Sequence, residues 1–390
     1  MSTMVPARDP SAWSLADVLP SCVAALRGVE NRLGFAPARQ VIVLIVDGLG
    51  SSALKQRAGY ARTLAAAATP LFSGFPTTTA SSIATITTGV LPGEHGLVGY
   101  SVLDPEHDRV VKQLSGWDSR MDPATWQRVP TIFERVTAEK STETSAGSDG
   151  SPGQNIRAFA IGPSRYAHSG LTKAILRGAE YRSAESVEAR FEAAGAVLRE
   201  AAPSLSYLYV PELDVAGHKY GWESPQWSAA LELVDSQLRT LVSGLKRDQA
   251  VVVTADHGMV DINPAKHVLY GHRPELVEGV RHFAGEPRCL QLHFEPGLDD
   301  AARSRLVAAW HESEDARSWV VTRDEAIEAG WFGPVDASVR PRIGDLLVAA
   351  RKGIAYYADA DVRGRGMVGQ HGSWSAEETQ VPLARFGAFA

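Results

Sequence analysis

The strongest pattern in the chain is an unbroken apolar run, Val41 to Val46 (VIVLIV), closed by Asp47-Gly48. A short run rich in β-branched residues that stops at a turn pair predicts a strand buried on both faces, as in a parallel sheet. Runs of the same kind recur at Arg157–Ile161, Leu205–Val210, Ala250–Thr254 and Leu346–Ala349. Helical patterns separate them. From Ser183 to Ala201 an apolar stripe runs through Val187, Phe191, Ala194, Val197 and Leu198. Ser224-Pro225 forms a cap and first-turn pair, followed by Trp227, Leu231, Val234, Leu238, Leu241 and Leu245 at helical spacing. Strands alternating with helices predict an α/β fold, a three-layer sandwich whose central, mostly parallel sheet is flanked by helices.

Two segments depart from that alternation. Ser141 to Gly153 (STETSAGSDGSPG) is small, polar and aperiodic, and predicts a mobile surface loop. From His272 to Arg342 the chain carries its own signals: Leu290–Phe294 alternates, Ala301–His311 is helical, and Trp319–Val321 reads as another strand. That stretch is expected to be a small lobe, residues 272–342, inserted before the last sheet strand of a single catalytic domain spanning residues 1–390.

Composition narrows the function. The 390 residues are 44% hydrophobic and 22% charged, with 39 basic against 45 acidic side chains and a net charge of −6. That balance argues against general nucleic-acid binding, which draws on a basic surface. Two cysteines, Cys22 and Cys289, cannot build a disulfide framework or a thiolate metal cluster, and read as inert buried thiols. No apolar run reaches the length of a membrane span. The opening MSTMVPARDPSAWSLADVLPS lacks the basic start and apolar stretch of a leader, so a cytoplasmic protein is expected.

The chemistry gathers just beyond the strands. Asp47 follows VIVLIV; YLYVPELDVAGHKYG sets Asp214 and His218 four residues apart; VVVTADHGM offers Asp256 and His257; and VGQHGSWS offers His371 in a Gly-flanked loop. Ligand sites of open α/β sheets assemble at the carboxyl ends of strands. Carboxylate and imidazole donors without cysteine suit a catalytic zinc or manganese rather than a structural thiolate site. A fifth segment, GFPTTTASSIATITTGVLPGEHG, sets Thr77, Thr78, Thr79 and two serines at a helix start, where backbone N–H groups favour an anion. Each piece alone has an ordinary structural reading as a cap, a turn or a surface pair. Five in this order do not.

In the order and spacing of these motifs, from Asp47 to His371, the chain resembles the alkaline phosphatase superfamily, and within it the nucleotide pyrophosphatase/phosphodiesterase branch. The resemblance implies an alkaline-phosphatase-like sandwich holding two zinc ions, with manganese or iron possible on the same ligands. It implies that Asp47, Asp256 and His257 hold one ion, shared with the nucleophile oxygen, and that Asp214, His218 and His371 hold the other. The nucleophile position falls on Thr79, with Thr77 and Thr78 as rivals. A zinc-stabilised Thr79 alkoxide attacking phosphorus would give a phosphothreonine intermediate. The activity implied is hydrolysis of a small phosphodiester or nucleotide-like phosphoanhydride.

Two departures bear on substrate. The branch commonly has an aromatic residue after the nucleophile for base stacking, where this chain has Ala80. It usually has Asn three residues after the nucleophile, where this chain has Ser82, a hydroxyl still able to bond a phosphate oxygen. The alternatives on the same core are a phosphomonoesterase or phosphonate hydrolase and, ranked below them, a phosphoglycerate-mutase-like isomerase. A monoester dianion calls for an extra cation, and the neighbours of Thr79 (Phe75, Pro76, Ala80, Ile83) include none. That favours diesters unless Arg165 or Arg288 reaches in from a distant loop. Tyr166 and His168 read equally as cleft lining or surface turn, Trp117 as a packed plug or a stacking platform, and His95 as a packing residue.

Overall fold

The computed structural model describes residues 4–138, 155–358, 361 and 364–390, so the Ser141–Gly153 segment lies outside the described residues. Two sheets, of seven and six strands, dominate it. In chain order their strands are β1 (Gln40–Val46), β2 (Ala68–Phe72), β3 (Ser101–Asp104), β4 (Arg109–Lys112), β5 (Arg157–Gly162), β6 (Glu180–Ser183), β7 (Ser204–Val210), β8 (Gln249–Thr254), β9 (Val280–Glu286), β10 (Cys289–Phe294), β11 (Ser318–Thr322), β12 (Leu346–Ala350) and β13 (Gln380–Gly387).

The central sheet has the order β2-β13-β8-β1-β7-β5-β6. The VIVLIV run forms β1, buried along its whole length, as expected of a strand with neighbours on both edges and layers on both faces. It runs parallel to β7 on one side and β8 on the other. Strand β5 is parallel to β7 and β6, while β13 is antiparallel to β8 and β2. The carboxyl ends of β1, β7 and β8 therefore lie side by side.

Helices flank this sheet. They include α1 (Thr79–Thr88), α2 (Val187–Arg199), α3 (Glu212–Tyr220) and α4 (Pro225–Ser243). The α2 stripe is buried as its spacing predicts, against β5 and β7. Its helix begins later than Ser183 because Glu180–Ser183 is spent on the edge strand β6, and Ser186 is the residue that caps it. In α4, Ser224 accepts a hydrogen bond from the Trp227 amide, 3.2 Å, and Trp227, Leu231, Val234 and Leu238 are buried. No helix of the described residues is long and apolar enough to cross a membrane.

The second sheet, β11-β12-β10-β9-β3-β4, is antiparallel throughout. Its strands β9, β10 and β11 fall within residues 272–342, while β3, β4 and β12 join from outside that range. The Leu346–Ala349 run, read as the last strand of the main sheet, is instead β12 of this second sheet. The reason is physical: a strand of either sheet can be apolar on both faces. Leu347 and Ala349 pack into the main core, and Leu346, Val348 and Ala350 pack with Leu306 and Trp310 of α5 (Asp300–Glu314). The strand that closes the central sheet is β13, whose Pro382 stands opposite Pro70 of the edge strand β2.

Candidate active site

The strand ends deliver the side chains. Asp47 follows β1 directly, Asp256 and His257 follow β8, and the chain leaves β7 through Pro211 into α3, where Asp214 and His218 stand one turn apart. Thr79 opens α1, and Ser82 follows it by one turn. His371 lies in the loop before β13.

These residues converge. The Thr79 hydroxyl is 3.1 Å from Nε2 of His257. That nitrogen lies 3.5 Å from both Asp47 Oδ1 and Asp256 Oδ2. Nε2 of His218 is 3.3 Å from Asp214 Oδ1 and 3.3 Å from Nε2 of His371, which is 4.0 Å from the same carboxylate oxygen. The rings of His257 and His371 stack with centroids 3.6 Å apart.

Each imidazole is oriented by a backbone carbonyl. Nδ1 of His218 donates to Gly369 O at 2.8 Å, Nδ1 of His257 to Gly258 O at 3.1 Å, and Nδ1 of His371 to Thr77 O at 2.7 Å. A carbonyl only accepts, so each ring carries its proton on Nδ1 and points an Nε2 lone pair inward. Metal-ligating histidines generally have their other ring N–H tied to an acceptor in this way, which fixes the ring and its tautomer.

The carboxylates say the same. Asp47 Oδ1, Asp214 Oδ1 and Asp256 Oδ2 are buried and, among the described residues, find no hydrogen-bond partner. Their other contacts fix them: Tyr209 donates its hydroxyl to Asp47 Oδ2, and Asp256 Oδ1 accepts the amides of Gly48, 3.1 Å, and His257, 3.0 Å. Burial raises the Asp47 carboxyl well above the ordinary range, helped by the charges of Asp256 and Asp214. Burial likewise raises Asp256, and lifts Asp214 to about 6 against the pull of His218. Burial drives His257 down to about 3 and His371 well below its usual value. Buried acids pushed toward their neutral form, beside imidazoles that resist protonation, form a set whose ionised carboxylates and free lone pairs a cation would stabilise. Two groups have donor atoms close enough to hold one: Asp214, His218 and His371, and Asp47, Asp214 and His257. Asp214 thus borders both, while Asp256, in neither group, lies 3.5 Å from the same His257 nitrogen. Such oxygen and nitrogen donors fit divalent zinc, manganese or iron.

Beside Thr79 opens a cavity of about 150 Å³, walled by Asp47 and Asp214 on one side and by Ile83, Leu114, Leu171 and Tyr166 among its other contacts. No lysine or arginine lines it among the described residues. Tyr166 is part of the wall, whereas His168 is exposed and outside it. Trp117 is a plug: its ring abuts Gly170 so closely that a Cβ there would lie 2.1 Å from it. Arg288 is buried on Glu378, far from any substrate role. Thr77 donates its hydroxyl to Ser373 O, 2.9 Å, and accepts from the Gly372 amide, so its oxygen is committed elsewhere. Ser82 Oγ is buried and partnerless among the described residues. His95 is buried beside Thr85, 3.1 Å, and accepts the Leu97 amide at Nδ1, in a packing role.

Tyr209 escaped sequence reasoning. Its signal was the pair Tyr207 and Tyr209 at strand spacing near the carboxyl end of β7, which points both rings to one face. Glu378 escaped too, since it sits in a short polar stretch with no pattern.

The chain is similar to known proteins over most of its length. A family model described as type I phosphodiesterase / nucleotide pyrophosphatase matches residues 41–374. An uncharacterized pyrophosphatase/phosphodiesterase of Schizosaccharomyces pombe is 25% identical over 283 residues, covering 68% of this chain and 55% of that protein. The bis(5'-adenosyl)-triphosphatase ENPP4 of Homo sapiens is 28% identical over 182 residues, 45% of this chain and 36% of that one. The chain thus spans about half, or less, of the length of these relatives. Among solved structures, murine ectonucleotide pyrophosphatase/phosphodiesterase 5, an inactive threonine-to-alanine variant in complex with AMP, superposes with a TM-score of 0.64 at 18% identity, over 89% of this chain and 87% of that one. Phosphonoacetate hydrolase from Sinorhizobium meliloti 1021, in complex with phosphonoacetate, gives 0.66 at 19% identity, over 90% and 91%. At these identities the likeness is one of fold, the alkaline-phosphatase-like sandwich.

Proposed function

The chain belongs to the type I phosphodiesterase / nucleotide pyrophosphatase family, and on that premise we propose that it hydrolyses a phosphodiester or phosphoanhydride through a phosphothreonine intermediate on Thr79. The observation that carries the reading is the convergence of three inward Nε2 lone pairs and three partnerless carboxylate oxygens around one threonine hydroxyl. Asp47, Asp256 and His257 would hold one zinc ion, and Asp214, His218 and His371 the other. When bound, the two ions supply Lewis acidity for Thr79 as an alkoxide, for the leaving oxygen and for the hydrolytic water.

The rest is the work of the chain itself. Thr79 Oγ1 attacks phosphorus in line, an O–P bond forms, and the bond to the leaving oxygen breaks. Water then attacks the phosphothreonine and releases Thr79. Thr79 begins a ten-residue helix, so the positive end of the helix faces the phosphoryl oxygens. Ser82 supplies a hydroxyl proton to one of them. The cavity beside Thr79 receives the ester substituent.

The cavity wall, without lysine or arginine among the described residues, decides between substrates. Phosphate monoesters and phosphonoacetate bring additional negative charge to a wall that already carries the carboxylates Asp47 and Asp214. A diester replaces that charge with a substituent, which the apolar wall accommodates. The AMP complex of the murine neighbour makes nucleotide esters and anhydrides the first natural class to try. The test compares bis(4-nitrophenyl) phosphate with 4-nitrophenyl phosphate on zinc-loaded protein, with Thr79→Ala as control. A strong diester preference abolished by Thr79→Ala is expected. A monoester preference, or near-normal turnover by the variant, would sink the proposal.

A further inference from the structure

Arg288 and Glu378 form a buried ion pair, at 1% and 0% side-chain exposure, well behind the candidate site. Arg288 lies in the turn between β9 and β10 of the second sheet and engages all five of its N–H donors. Nε and Nη2 donate to the two oxygens of Glu378 at 2.9 and 2.8 Å. Nη1 donates to Lys352 O and Ile354 O, both at 2.9 Å, and Nη2 also reaches Ala350 O at 3.4 Å. One end of the pair is thereby bolted to β12 and the segment after it.

The other end holds both histidine loops. Glu378 Oε1 accepts the amide of Ser373, 2.9 Å, two residues after His371. Its backbone carbonyl accepts the amide of Gly258, 2.8 Å, the residue after His257. Gly258 meets this segment backbone to backbone, since a Cβ there would lie 1.9 Å from Glu377 O. Ser373 is held again by its hydroxyl on Ala350 O, 2.7 Å, and its carbonyl accepts Thr77. The two loops so fixed carry the imidazoles that stack 3.6 Å apart, one from each expected ligand set.

We infer that Arg288 and Glu378 are positioning residues that set His257 and His371 for metal binding, transmitting the rigidity of the second sheet to the ligands. The inference rests on the two-metal reading. A buried ion pair is a poor device for stability alone, because apolar replacements of similar shape are often as stable. Here its side-chain hydrogen bonds tie the His371 loop to a strand end, and the backbone of Glu378, fixed by the same pair, holds the His257 loop, which is a device for geometry.

The experiment measures zinc stoichiometry and affinity of the full chain by competition with a chromophoric chelator, alongside thermal unfolding. The main variant is the double substitution Arg288→Met/Glu378→Gln, which leaves no unpaired buried charge. It is expected to fold and to bind zinc 10- to 100-fold more weakly, the scale of outer-shell changes at metal sites. A folded double variant with wild-type zinc affinity overturns the inference. Should the double variant not fold, Arg288→Lys decides: it keeps the charge but cannot reach the carboxylate and three carbonyls together, and unchanged affinity is again fatal. A wild-type chain that binds no divalent metal overturns the metal reading itself, a result seen before any variant is made.

Discussion

A carboxylate that offers one oxygen to a cation needs its other oxygen held, and for Asp47 the holder is the Tyr209 hydroxyl. The Tyr209→Phe variant keeps the ring but frees Oδ2, and is expected to weaken zinc at the Asp47 position by about 10- to 100-fold with the fold unchanged. Zinc titration with circular dichroism as control checks it, and equal affinity in both proteins would refute the role. His371→Ala is a sharper cut: of the three Nε2 lone pairs it removes one that borders Asp214 and His218, so one equivalent of zinc should be lost and the other kept. Retention of two tight equivalents would contradict the placement of His371. Of the seven clustered residues, Asp47, Asp256 and His257 were legible just beyond apolar runs, Thr79 and Asp214 at helix starts, His218 by its spacing of four from Asp214, and His371 by its Gly-flanked loop. Tyr209 was not, because a tyrosine inside a buried strand looks like sheet packing. Its hydroxyl meets Asp47 only through the register that sets Tyr209 beside Ile45, a fact of pairing between distant segments.

At the scale of elements, legibility followed periodicity. The α4 helix announced both its cap and its stripe, and the structure places Ser224 on the Trp227 amide. Ser224→Ala should therefore cost about 1 kcal/mol, read as a lowered urea midpoint with the slope unchanged. No loss at all would mean that solvent or the Trp227 ring caps the helix instead. Strands without an apolar run stayed hidden. In β2 and β13 the facing prolines Pro70 and Pro382 break the β-branched signature, and proline belongs at sheet edges rather than in runs read as central strands. Strand β12 was visible but assigned to the wrong sheet, since local sequence reports burial and not the neighbour that buries. The helix that matters most to chemistry, α1, was legible by its cluster of hydroxyls, and its start at Thr79 is what turns the nucleophile candidate toward an anion.

Across the whole molecule, the second sheet meets the His371 loop at Glu286, the last residue of β9. Its carboxylate accepts the Tyr100 amide, 2.9 Å, while its side chain presses against Gly372, where a Cβ would lie 2.8 Å from its own. Gly372 has a φ of +132°, so this close approach needs glycine on both counts. That junction was beyond sequence reading, because β3 reaches β9 only by pairing Ser101 with Gly285 across most of the chain. It also gives the molecule a pH dependence. Burial, with the charge of Glu378 adding to it, lifts the Glu286 carboxyl to about 8 from an ordinary 4.5. Between those values the unfolded chain has released this proton and the folded chain still holds it. Stability from this group is therefore complete below pH 4.5 and drains away as pH rises through 8. Glu286→Gln keeps the acceptor for Tyr100 and removes the titration. In metal-free protein the variant should gain on wild type steadily from pH 5 to pH 8, by up to roughly 3–4 kcal/mol in the difference of unfolding free energies. Urea unfolding of both proteins at matched pH isolates the group, since the aspartates and histidines of the site titrate alike in each. A difference that does not change with pH would mean that Glu286 is already ionised in the fold, with a partner at the junction holding its charge.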